Sequence, residues 1–184
     1  MTFSWTPHRF SGGALALDVA NSVVLRSDPA RRIDRYDDAK TMDAFAGGAN
    51  HYCAERAWTG PLVPVAPERR AAFLSLREAI DDHFRAEARG EGTPAQLALL
   101  LEAIADTLRH SGGRAGALDA ATAHSALRLT VNAAPDRLKI CPNCGWLFLD
   151  KSRNRSRNWC DMAICGNRAK ASRHYYRHRK EPGT

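Results

Sequence analysis

Four cysteines near the C-terminal end follow the spacing C-x2-C-x15-C-x4-C, at Cys141, Cys144, Cys160 and Cys165. No other feature limits the chain as strongly. Two close thiol pairs separated by a loop suit a tetrahedral ion, because each pair turns the backbone tightly and aims both sulfurs at a metal about 2.3 Å away. In the first pair, "CPNCG", Pro142 and Gly145 fit such a turn. "WLFLD" after it is a strand candidate, and "WC" at 159–160 is the expected return strand of a hairpin. Good helix formers follow the second pair, with no proline before Pro182. Four thiolates close the coordination shell, so the expected cofactor is one structural zinc rather than a catalytic one. Two disulfides or unrelated buried thiols are the alternatives. The fifth cysteine, Cys53, is expected to fill a core position.

Charge is concentrated in the same place. Residues 1–140 balance to zero, while residues 141–184 carry ten Lys and Arg against three Asp and Glu, which accounts for the whole net charge of +7. A neutral body with a basic tip points to a polyanionic partner, of which nucleic acid is the commonest. Lys151, Arg153, Arg155 and Arg157 alternate with Ser and Asn in the connecting loop, and a hairpin tip would present several of them on one side. Arg168, Lys170, Arg173 and Arg177 lie on the expected helix, and the last three share a face through their spacing of three and four. A charged face anchored on acidic groups of the body is the bland alternative. Trp146, Phe148, Leu149 and Trp159 are expected to pack as a small core, not to stack on bases. So short a segment cannot bury a core of its own, and metal binding should supply much of its folding energy.

The rest of the chain reads as mostly helical. "PERRAAFLSLREAIDDHFRAEARG" places Phe73, Leu76, Ile80 and Phe84 three or four apart and ends at Gly90. The next segment starts with Thr93 as N-cap, Pro94 at the first helical position and Gln96 completing a capping box. Its apolar face is Leu97, Leu100, Leu101, Ile104 and Leu108, and Gly112-Gly113 ends it. Leu118, Ala121, Thr122, Ser125 and Leu129 predict a further helix stopped before Pro135. Met42, Phe45, Ala49, Tyr52 and Cys53 suggest another, although the Gly47-Gly48 pair weakens it by about 1 kcal/mol per glycine. "SGGALALDVANSVVL" fits either a strand leading into a helix or one buried helix. "APDRLK" reads as a short joint. The expected architecture is mainly α: a multi-helical domain over residues 1–134, then a small α+β zinc unit over residues 135–184, a hairpin plus C-terminal helix in a treble-clef-like arrangement.

The cysteine segment, with "LFLD" before the loop, "WC", Cys165-Gly166-Asn167-Arg168 and "RAKA", resembles the CGNR zinc finger. "LALDVANSV" followed by helices is similar to the ABATE domain that usually precedes that finger in stress-induced transcription regulators. The resemblance implies a bacterial DNA-binding regulator whose helical domain senses a ligand. It implies the four cysteines as zinc ligands and Arg168 and Lys170 as basic positions. Asp18 and Asn21 match the polar positions of the N-terminal motif. Polar residues in an apolar stretch must find partners when buried. A cap or a core hydrogen bond is one reading of the pair, and a sensing pocket is the sharper one.

The expected function is therefore zinc-dependent DNA binding by a transcription regulator, with a small-molecule effector or homodimerisation through the helical body. The alternative is a zinc-stapled module for RNA or protein. No enzyme is expected: the chain shows no nucleophile–base pair, phosphate loop or open metal site, and His8, His51, His83, His110 and His124 lack ligand spacing. With no run of eighteen apolar residues and no apolar core in "MTFSWTPHRFSGG", neither a membrane span nor a signal peptide is expected. The expectation is a cytoplasmic protein with reduced thiols.

Overall fold

The computed structural model describes residues 3–132 and 135–180. At its centre is α1, Leu15–Ala20, a helix whose six residues are all buried. It packs between α4, Arg70–Arg89, and α6, Leu118–Asn132. So the ambiguous N-terminal stretch is a short buried helix, leading into the two-residue strand β1, Val23–Val24. This strand pairs antiparallel with β2, Ile33–Asp34. The start of α1 lies inside the protein, where its free N–H groups need acceptors. The Glu55 carboxylate accepts from Leu15 N–H at 2.8 Å, and the Ser125 hydroxyl from Ala16 N–H at 3.0 Å.

Around α1 run α2, Ala39–Tyr52, the single turn α3, Arg56–Thr59, and α5, Pro94–His110, which forms a hairpin with α4. Phe73, Leu76, Ile80 and Phe84 are all buried, and Gly90 closes α4 in the left-handed conformation. The capping box at Thr93 and Gln96 forms as expected. Two expected core positions do not hold. Leu101 is 41% exposed and Tyr52 40% exposed, because α5 and α2 each have neighbours on one side only and these residues lie at the margin of the buried stripe. Thr107 is buried on α5 instead. Of the glycine pair in α2, Gly48 has a packing reason, whereas a Cβ on Gly47 would meet nothing. A Cβ on Gly48 would lie 2.8 Å from both Phe10 and Trp5, whose rings pack directly against the helix. Among the described residues no helix is long and apolar enough to cross a membrane.

The hairpin expected near the cysteines exists, but with a different partner strand. β3, Leu138–Ile140, pairs antiparallel with β4, Leu147–Leu149, with Lys139 opposite Phe148. Trp159–Cys160 is not a strand, and the presumed joint "APDRLK" supplies β3 after a 3-10 turn at Pro135–Arg137. The physical reason is local. The Cys141–Gly145 knuckle is itself a tight turn that reverses the chain: Gly145 N–H donates to the Cys141 carbonyl at 2.8 Å, and Cys141 N–H to the Trp146 carbonyl at 2.8 Å. Gly145 has φ +75°, a conformation that favours glycine.

Alternation along these two strands then sorts their side chains. Leu138, Ile140, Leu147 and Leu149 pack on the hydrophobic core of the helical body, whereas Phe148 joins Trp146 and the cysteines in a second, smaller cluster. The helix α7, Asn167–Lys180, follows the second cysteine pair. The architecture is mainly α with a small hairpin-and-helix unit at the C-terminal end.

Candidate metal centre

The first knuckle hangs from the hairpin, and the second cysteine pair brackets a single π turn, Met162–Gly166. Asp161 organises that turn. Its side chain accepts from Ile164 N–H at 3.1 Å, and its carbonyl accepts from Cys165 N–H at 2.9 Å and Gly166 N–H at 3.1 Å. These constraints bring all four sulfurs within 4.8 Å of one another. Cys144 and Cys160 sulfurs are 3.5 Å apart, and those of Cys160 and Cys165 3.6 Å. Around a tetrahedral zinc, sulfurs about 2.3 Å from the metal lie about 3.8 Å from each other. The observed spacing is that of a ligand shell and far too long for a disulfide bond of about 2.05 Å.

The chemistry of the donor set agrees. Cys141, Cys160 and Cys165 are buried. Contact with Cys141 and burial push the Cys144 and Cys160 thiols up, while S–H groups directed from Cys144 and Cys160 push Cys141 down. Four thiols this close cannot all ionise unaided, and a divalent cation is what lets them ionise together. The arrangement is a site for one structural zinc held by Cys141, Cys144, Cys160 and Cys165. When bound, the metal supplies folding energy, and the closed shell leaves no position for substrate. Asn143 adds an outer contact, its Nδ2 donating to Cys165 Sγ at 3.4 Å.

The basic loop is wound inward by Asp150, which is fully buried. Asp150 accepts from Lys139 Nζ at 2.7 Å, from Ser152 N–H at 2.9 Å and from Arg157 N–H at 2.9 Å. Burial alone would raise its pKa, but the Lys139 ammonium and these donors override it and hold the carboxyl well below the usual range. Lys139 also donates to the carbonyls of Arg155 and Arg157, and Arg137 to those of Asp150 and Ser152. Sequence reasoning missed this hub. Its signal was the Asp that ends "WLFLD", whose partners lie on both sides of it in the chain.

The consequence for the expected nucleic-acid residues is a partition. Arg157 faces inward: its Nε donates to the Trp159 carbonyl at 2.7 Å, and its guanidinium sits 5.0 Å from the Phe148 ring centre. Arg155 pairs with Asp136. Neither is presented on one side of a hairpin tip, because the loop is not one. Lys151 is exposed and donates to the Gly13 carbonyl at 2.8 Å. Arg153, Arg168 and Lys170 are exposed. The side chains of Arg173 and Arg177 lie outside the described residues. Trp146 and Phe148 are interior, as expected of packing residues.

Asp18 and Asn21 are both buried and hydrogen-bonded to backbone groups of other segments. Asn21 Nδ2 donates to the Leu147 carbonyl at 2.8 Å, and its Oδ1 accepts from the Leu147 N–H at 2.9 Å, so it fastens β4 to the body. Trp146 Nε1 donates to the Val23 carbonyl at 3.2 Å and Arg85 to the Gly145 carbonyl at 2.9 Å, extending the same seam. Asp18 accepts from Gly12 N–H at 2.8 Å, and the Gly12 carbonyl accepts from Leu149 N–H at 2.8 Å. A Cβ at Gly12 would stand 2.7 Å from Asp18 Oδ1, so the turn needs glycine. Burial raises Asp18 to about 8. One cleft of the body, about 530 Å³, lies beside Trp58, Arg114 and His124.

Residues 137–178 match the CGNR zinc finger family. The match takes in the hairpin, the wound loop, all four cysteines and most of α7. No curated protein matches the chain.

Proposed function

We propose that the zinc unit binds duplex DNA through its phosphate backbone, and that the chain is a transcription regulator whose helical body senses a small molecule or dimerises. The observation that carries this reading is the pairing of charge with burial. The whole net positive charge falls in residues 141–184, and Lys151, Arg153, Arg168 and Lys170 are exposed there while Trp146 and Phe148 are packed inside. Exposed cations without those two rings favour a backbone grip over the base stacking that dominates single-strand recognition. The cleft beside Trp58, Arg114 and His124 is where an effector of the body would sit. The reading assigns no catalysis to either part.

The test is binding of the zinc-loaded protein to a duplex by fluorescence anisotropy across a salt series. Engagement of about four phosphates predicts a slope of log affinity against log salt near −3.6. Binding without salt dependence, or a preference for single-stranded RNA over duplex DNA, contradicts the proposal.

A further inference from the structure

We propose that Arg9, Arg35 and Arg168 form a phosphate-binding site at the seam between the helical body and the zinc unit. Two of these residues come from the N-terminal part of the chain, where charge is balanced and sequence gives no sign of an anion site. Three separate elements bring them together: the 3-10 turn Pro7–Phe10, the residue after β2, and the first turn of α7.

Aromatic rings fix the first two guanidinium groups. Arg9 lies 5.4 Å and Arg35 4.3 Å from the centre of the Phe3 ring, so both sit against one side chain. Arg9 also lies 5.6 Å from the centre of the Trp146 ring, which places it on the zinc unit. His8, its neighbour, packs at a tilt on the same Trp146 ring and pairs with Asp161 at 3.1 Å, at the head of the π turn that precedes α7. That contact brings the turn carrying Arg9 to the π turn, Met162–Gly166, that leads into the helix carrying Arg168. Stacking on rings holds a guanidinium in place yet leaves its edge N–H groups free to donate, the geometry a phosphate needs.

The anion is missing from the protein itself. Several other arginines of the body are paired with carboxylates: Arg77 with Asp34, Arg85 and Arg26 with Asp81, Arg70 with Asp43. Among the described residues no carboxylate pairs with Arg9, Arg35 or Arg168. Asp161 is occupied by His8 and by the Ile164 N–H. Arg35 Nε is buried with no hydrogen-bond partner, which costs free energy until an acceptor arrives. Burial and then the charges of Arg35 and Arg168 lower the Arg9 pKa, as expected of cations held close together. With no carboxylate among the described residues paired to them, the three guanidinium groups are left for an outside anion. A phosphoryl group meets this need, either as a phosphodiester of nucleic acid or as free phosphate. The nucleic-acid source rests on the function proposed above; the phosphate chemistry does not.

The experiment uses the full, zinc-loaded chain with two probes, inorganic pyrophosphate and a duplex in a salt series. The variants are Arg35→Gln and Arg35→Lys, with zinc content and circular dichroism confirming the fold. The expected result is pyrophosphate binding that Arg35→Gln weakens about tenfold, the loss of one charge-assisted hydrogen bond, and that Arg35→Lys largely keeps. If the phosphodiester is the ligand, Arg35→Gln also makes the salt slope less negative by about 0.9. Arg35-dependent pyrophosphate binding with an unchanged slope assigns the site to free phosphate. The same binding in a protein that ignores duplex DNA removes the proposed function and leaves this site standing. No pyrophosphate binding, together with no change in slope on Arg35→Gln, overturns the proposal.

Discussion

The helical body and the zinc unit reach order by different routes. The body rests on large apolar side chains with almost no exposure, Phe45, Phe73, Leu76, Ile80, Leu100 and Leu118 among them. The zinc unit has a far smaller interior, built from Trp146, Phe148 and three buried thiols. Its strands lend their other face, Leu138 and Leu147, to the core of the body. Hydrophobic burial at about 25 cal/mol per Å² can hold the first region, but the second exposes too little apolar surface to water on unfolding and needs the metal. The two meet through that apolar face and through a seam of hydrogen bonds in which the Asn21, Trp146 and Arg85 side chains reach backbone groups. The contrast teaches that a region can be anchored to a neighbour's core and still depend on an ion for its own conformation.

The largest effect that separates the regions is expected from the ligands. Cys165→Ser should abolish stoichiometric zinc and unfold the loop and α7, with the helical signal of the body largely kept; metal analysis and circular dichroism check it. Structural zinc is worth about 10 kcal/mol or more in isolated finger peptides, so partial retention of the unit's order would blur the contrast. Next comes Phe73→Ala, in the centre of the body, expected to cost about 3–5 kcal/mol in denaturant unfolding while one zinc per chain remains in the folded protein.

The seam should give a middle value. Asn21→Ala leaves the buried N–H and C=O of Leu147 without partners and is expected to cost about 2 kcal/mol, with faster hydrogen exchange at β3 and β4 than in α4 and α5. The last effect is a pH slope, modest across any single pH unit. Asp18 ionises near the ordinary carboxylate value of 3.8 when unfolded but keeps its proton to about 8 when folded. The folded state therefore binds more protons in that window, and stability falls as pH rises from about 4 to about 8, by at most about 1.4 kcal/mol per pH unit. Asp18→Asn should flatten the slope, as urea unfolding at several pH values would reveal.

What the sequence disclosed follows the same division. The helices α4 and α5 were legible because periodicity, a left-handed glycine and a capping box are local signals. The zinc ligands were legible because their spacing is local too. The partner of β4 was not. Three residues before Cys141 carry no periodicity, and only the knuckle's reversal makes Leu138–Ile140 a strand. Asp18 and Asn21 stood out as buried polar residues, but their roles depend on Gly12 and Leu147, the latter more than a hundred residues away. The basic loop misled for a similar reason. Alternating Arg residues look like a display face until Asp150 and Lys139 wind the loop and turn Arg157 inward. Arg9 and Arg35 were invisible because nothing in their neighbourhoods announces that Phe3, Trp146 and α7 converge.

The most direct measurement is residue-resolved hydrogen exchange on the full chain, zinc-loaded and then chelated. The account predicts that chelation removes protection from residues 141–180 while the amides of α1, α4 and α6 keep theirs. Equal loss of protection in both regions, or none in either, would contradict the division between a core-held body and a metal-held unit.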